Sequence, residues 1–158
     1  MVKLKKETYQ RLLFFISFLV LLFAYAIQYL LGYQPCHLCL IERIPYFLAL
    51  VILILDYKFK KDKIFYSVLL LLVFMFSFLI SIYHFGIEQG LITESNVCGS
   101  NSINLLITKD DILESLQKIT VSCKDVAFTI FGLSLTTYNI IISLIMFLMS
   151  VKIFFINN

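Results

Sequence analysis

The sequence predicts an all-α fold, a transmembrane four-helix bundle with a short amphipathic helix in its second outer loop. Three observations predict it. Of 158 residues, 61% are hydrophobic and 15% are charged, against about 45–50% and about 25% in an average globular domain. The mean hydropathy is +0.95. The apolar residues stand in long unbroken runs. A soluble chain of this length could not bury that much apolar surface. The composition therefore argues against a soluble enzyme, a disordered segment and a nucleic-acid-binding module. The expected solvent is lipid, and residues 1–158 are expected to form a single integral-membrane domain.

The first span is expected at about 12–31, since Leu12 to Leu31 is twenty residues without a charge. At about 1.5 Å per residue it reaches across a bilayer core of about 30 Å. It is too long for a signal-peptide core, and Gly32-Tyr33-Gln34-Pro35 offers no small-residue cleavage site, so it reads as a retained helix. The second span is the awkward one. Ile44 to Leu55 gives only twelve residues, which reach across only if the helix begins near Cys36, making the span about 37–55. The third is about 64–84. The last apolar run, Val126 to Val151, is longer than needed, and its span is expected from about Phe131, at 131–151. Outer loops are expected at about 32–36 and 85–130. Within the second, Ile112, Leu113, Leu116 and Ile119 fall on one helical face opposite Asp110, Asp111, Glu114 and Lys118. That pattern suits an amphipathic helix lying on the membrane or packed on protein.

Charge sets the direction. Lys3, Lys5, Lys6, Arg11, Lys58, Lys60, Lys61, Lys63 and Lys152 lie on one side, with Glu7, Asp56 and Asp62. The other side has Arg43, Lys109, Lys118 and Lys124 among seven acids. The basic side is expected to be cytoplasmic, with both termini there. All four cysteines then face outward, where disulfides persist.

The chemistry is carried by Pro35-Cys36-His37-Leu38-Cys39 followed by Glu42-Arg43. Cys36 and Cys39, three apart, share a helix face, and a helix N-terminus favours thiolate. Arg43 is four residues beyond Cys39 on that face, and a cation there would stabilise thiolate or hold the oxygens of a lipid-soluble ligand; Glu42 would partly neutralise it. Ionisable groups at membrane depth are functional candidates by default. His84 and Glu88 are four apart at the outer end of the third span, where His84 could move the protons of thiol oxidation. Cys98 and Cys123 stand 25 positions apart in the long outer loop. Four cysteines allow three pairings. The local one, Cys36 with Cys39 and Cys98 with Cys123, suits a relay. The competing reading is a structural membrane protein with two stapling disulfides, although a staple across three residues removes little chain entropy. A four-thiolate zinc site suits neither the long second spacing nor an oxidising side, so no metal is expected. Covalent haem attachment needs His directly after the second Cys, where Leu40 stands.

Three segments resemble the disulfide bond formation protein B family of bacterial inner-membrane thiol oxidoreductases. They are Pro35 to Cys39 with Glu42-Arg43; Tyr83-His84 with Gly86 and Glu88; and Cys123 followed by Phe131-Gly132-Leu133-Ser134-Leu135 and Asn139. The chain departs from the family in having no Trp, with Thr137-Tyr138 where Gly-Trp is common. The resemblance implies reoxidation of a soluble periplasmic thioredoxin-fold (DsbA-like) thiol oxidase, with electrons passed to a membrane quinone, ubiquinone or menaquinone. It implies that Cys98 is attacked by the partner and that Cys123 completes the loop pair. Cys36 and Cys39 would reoxidise that pair, with Cys39 engaging quinone, Arg43 beside the quinone and His84 nearby. The implied location is the bacterial inner membrane, with lipid and the oxidase as partners and no nucleic acid.

Overall fold

The computed structural model describes residues 2–59, 63–93, 123, 129–130 and 132–157. Their elements are α1 (Val2–Leu30), α2 (His37–Ile41), α3 (Arg43–Lys58), α4 (Lys63–Glu88), β1 (Thr129–Ile130), β2 (Leu133–Ser134) and α5 (Leu135–Asn157). Four stretches are long and apolar enough to cross a membrane: Lys6–Leu30, His37–Lys58, Ile64–Glu88 and Leu135–Ile156. The main contacts run around a ring in which α1 packs on α3, α3 on α4, α4 on α5 and α5 on α1. This is the expected helical bundle. The expected amphipathic helix at 109–119 lies outside the described residues.

The bundle is inverted relative to a soluble domain. Large apolar side chains point outward, among them Phe15, Phe47, Phe65 and Phe155 at 60%, 61%, 63% and 72% exposure. Small polar ones point inward: Ser17, Ser77, Ser81 and Ser143 are fully buried. Lipid gives helices no hydrophobic reason to associate, so close backbone approach at small residues takes over. Leu13, Tyr46, Ala49, Leu70, Phe74 and Met146 form the centre of the core. Between α3, α4 and α5, Tyr46 Oη donates to Asn139 Oδ1 (2.6 Å), Asn139 Nδ2 donates to Ser81 Oγ (2.8 Å), and Ser81 Oγ donates to the Ser77 carbonyl (2.9 Å).

The second span is two helices, and Pro45 explains the joint. A proline has no N–H for the carbonyl four residues back, and its ring crowds that carbonyl. The carbonyl here belongs to Ile41, where α2 ends; Glu42 is the turn, and α3 restarts at Arg43. The short apolar run thus gains the length it lacked.

Helix ends differ from expectation for local reasons. Helix α4 continues through Gly86 to Glu88, past the expected boundary, and stops where Gly90 adopts φ +71°. Gly90 N–H donates to the Ile87 carbonyl and Leu91 N–H to the Gly86 carbonyl, both at 2.9 Å. This is the paired closure of a Schellman end. Ile92 folds back over Gly86, where an added Cβ would lie 2.7 Å from its Cδ1. Helix α5 starts at Leu135 rather than near Phe131, because the preceding residues make a small antiparallel ladder with Gly132 at φ +80°. Ser134 then caps α5, accepting from the Thr137 N–H at 3.4 Å. The Gly-Leu-Ser run is therefore a turn, a strand residue and a cap in succession.

At the end of the bundle that carries the chain termini, Lys6 Nζ lies 3.7 Å from Asp56 Oδ2, to which Gln10 also donates. Lys152 sits over the Tyr9 ring at 5.9 Å. These contacts tie α1 to α3 and α5.

Candidate functional site

Cys36 is the residue on which α2 is built. Its backbone is extended (φ −66°, ψ 167°), and its Sγ accepts the Cys39 N–H at 3.2 Å. The thiol thus acts as the helix cap, and Pro35 stands just before it. One turn brings the Cys36 and Cys39 Sγ atoms to 2.6 Å. Cys36 is 5% exposed and packs in one cluster with Leu38, Ile87 and Cys123, with Cys39, Ile41 and Tyr83 against them. Cys123, from between α4 and β1 in the sequence, is thereby brought to the Cys36 pair. Cys98 lies outside the described residues.

The expectation of a lowered thiol pKa does not hold for Cys36. Its pKa is raised, first by the hydrogen bond it shares with Cys39 and next by burial; the approach of His84 opposes both. A five-residue helix has little dipole to set against them.

His84, 3% exposed, reaches in from α4. Its Nε2 lies 3.5 Å from Cys36 Sγ, and its Nδ1 lies 3.2 Å from Glu42 Oε1. The second approach is close but poorly aligned for a hydrogen bond, and neither atom has another hydrogen-bond partner among the described residues. The sequence puts one carboxylate near His84 on its own helix, that of Glu88 four residues along. The structure supplies Glu42 instead, from the turn between α2 and α3.

Arg43 turns the other way. Its Nη1 donates to Gln28 Oε1 at 2.6 Å, its Nη2 to the Ala24 carbonyl at 3.4 Å, and its guanidinium lies over the Tyr25 ring at 4.9 Å. Three residues of α1 therefore fix the cation. In the sequence Gln28 stands out only as a polar residue near the end of an uncharged, largely apolar run.

These groups share one cavity of about 760 Å³, within the roughly 300–1,000 Å³ usual for small-molecule sites. Cys36, Cys39, His84, Glu42, Arg43 and Cys123 all line it. Apolar side chains also line it, among them Leu19, Leu22, Phe23 and Ile27 from α1 and Ile142 from α5. Tyr46 and Asn139, the first two members of the buried hydrogen-bond chain, also line it. The arrangement can hold a molecule with an apolar body and a hydrogen-bonding head against a dithiol.

No solved structure matches the chain. The uncharacterized protein RP370 of Rickettsia prowazekii (strain Madrid E) is 31% identical over 147 residues, covering 89% of this chain and 85% of that protein. The family model described as disulfide bond formation protein DsbB matches residues 6–153, which take in the cavity lining and all but the last three residues of the four stretches long and apolar enough to cross a membrane. The chain belongs to the DsbB family of multi-pass membrane proteins of disulfide-bond formation.

Proposed function

We propose that this protein reoxidises a soluble periplasmic thioredoxin-fold oxidase and passes the electrons to a membrane quinone. The observation that carries this reading is the cavity itself, where a dithiol with Cys36 buried, an imidazole and a fixed guanidinium share the lining with apolar side chains. The residues fit a quinone. Arg43 and His84 would hold its polar head, and the apolar face of α1 would hold its hydrophobic part. When bound, a quinone supplies an acceptor for two electrons and two protons.

The chain's own residues then have distinct tasks. Cys98 receives the partner's thiolate and forms a mixed disulfide; the partner's second thiol resolves it, leaving Cys98 and Cys123 reduced. Cys123 packs in the Cys36 cluster, which supports attack of its thiolate on Cys36 of an oxidised Cys36–Cys39 pair. The S–S bond breaks, a Cys123–Cys36 bond forms, and Cys39 leaves as thiolate into the cavity. Cys98 then displaces Cys36 from Cys123, regenerating the loop disulfide. His84 holds a proton at Nδ1 toward Glu42, which leaves Nε2 as acceptor for the Cys36 S–H. Arg43, held by α1, stays in place when charge develops near it. The cysteine end of the bundle faces the periplasm of the bacterial inner membrane, and both termini are cytoplasmic, in keeping with the lysines at the other end.

Thiol trapping after a pulse of reductant tests the reading. In quinone-containing membranes the disulfides return rapidly, and in quinone-depleted membranes they stay reduced until quinone is restored. Equal recovery in both would refute quinone dependence.

A further inference from the structure

We infer that the reduced Cys36–Cys39 pair and His84 form a three-ligand site for a thiophilic d10 cation such as Zn²⁺, a site that exists only when the disulfide is open. The three donor atoms lie within 4.8 Å of one another. Tetrahedral zinc with bonds of about 2.3 Å to sulfur and about 2.0–2.1 Å to nitrogen sets its sulfur and nitrogen about 3.6 Å apart. Cys36 Sγ and His84 Nε2 are already 3.5 Å apart. Two sulfurs on the same ion stand about 3.8 Å apart, so the present 2.6 Å separation has to open by roughly an ångström, within reach of a side-chain rotation at Cys39.

The surroundings point the same way. A ligating imidazole ordinarily presents its other ring nitrogen to a carboxylate, which fixes its tautomer and strengthens it as a donor. His84 offers Nε2 to the sulfurs while its Nδ1 faces Glu42 Oε1 at 3.2 Å. All three ligands line the cavity, so an ion can reach them, and the fourth position is left to water on that side. Binding forms two metal–sulfur bonds and one metal–nitrogen bond and releases two thiol protons to solvent, with no change of oxidation state. The cation therefore holds the pair reduced and competes with disulfide formation. The site stands independently of which acceptor the protein uses.

The test uses the full chain in detergent, stripped of quinone, with Cys98→Ser and Cys123→Ser so that one thiol pair remains. Co²⁺ is the probe. The reduced protein is expected to bind one Co²⁺ per chain with thiolate-to-cobalt absorption that Zn²⁺ abolishes. The disulfide form is expected to show none. Glu42→Gln should weaken binding about 10- to 100-fold, and His84→Ala by more. X-ray absorption of the zinc complex, which needs no His84 variant to fold, should read two sulfur neighbours and at least one imidazole nitrogen. Sulfur-only coordination, equal binding by the disulfide form, or unchanged affinity in a folded His84→Ala variant would overturn the site.

Discussion

Cys36 carries three roles at once: helix cap, neighbour of Cys39 and neighbour of His84. Its raised pKa follows mainly from Cys39, which makes the cause separable. Removing that sulfur takes away the larger influence and leaves burial, so the Cys36 proton is held less tightly and thiolate forms at lower pH. In reduced protein, the pH midpoint for alkylation of Cys36 by a small reagent should fall in Cys39→Ala, read on the Cys36 peptide by mass spectrometry. An unmoved midpoint would assign the shift to burial. The imidazole is a second separable case. General acid–base groups contribute about 10²–10⁴-fold, so His84→Ala should slow turnover at least about 100-fold. Glu42→Gln, which acts through His84, should slow it less and displace the pH profile; a pH profile unchanged from wild type would leave Glu42 no positioning role. The sequence discloses Cys36, Cys39 and Arg43 because helical spacing ties them together. It could not disclose the Glu42–His84 contact, because those residues sit on different helices and no period links them. Helical spacing relates His84 only to Glu88, four residues along.

Among the elements, the spans were legible because a bilayer demands length and apolarity of a helix. Their ends were not, because backbone geometry decides them. Pro45 splits the second span at Glu42, Gly90 closes α4, and Gly132 with Ser134 delays α5. Each is a local steric or hydrogen-bonding event that hydropathy does not register. Gly90 gives the sharpest test. At φ +71° a Cβ costs about 1–2 kcal/mol, and open space around Gly90 means the cost is conformational, not steric. Gly90→Ala should therefore lower the unfolding midpoint in detergent, whereas a midpoint equal to wild type would remove the Schellman end from the account. Because His84 and Glu88 lie in the last two turns of α4, loosening of this end should also reach the cavity.

At the scale of the whole molecule, the bundle sets two kinds of surface against each other. The outer face suits lipid, the termini end gathers lysines with Asp56, and the opposite end holds sulfur, imidazole and guanidinium in one cavity. The four-span architecture and the dithiol end could be read from composition, charge bias and the Cys-x-x-Cys spacing. The placement of Cys123 beside Cys36 could not, since no spacing or period links Cys123 to a helix. In the proposed relay, electrons leave the Cys36–Cys39 pair for a quinone in this cavity. The most direct measurement mixes purified, oxidised, quinone-loaded protein with one equivalent of reduced thioredoxin-fold donor and follows quinone absorbance. One quinone should be reduced per donor dithiol oxidised, and none in Cys39→Ser. Donor oxidation by the wild-type protein with the quinone left untouched would contradict the account.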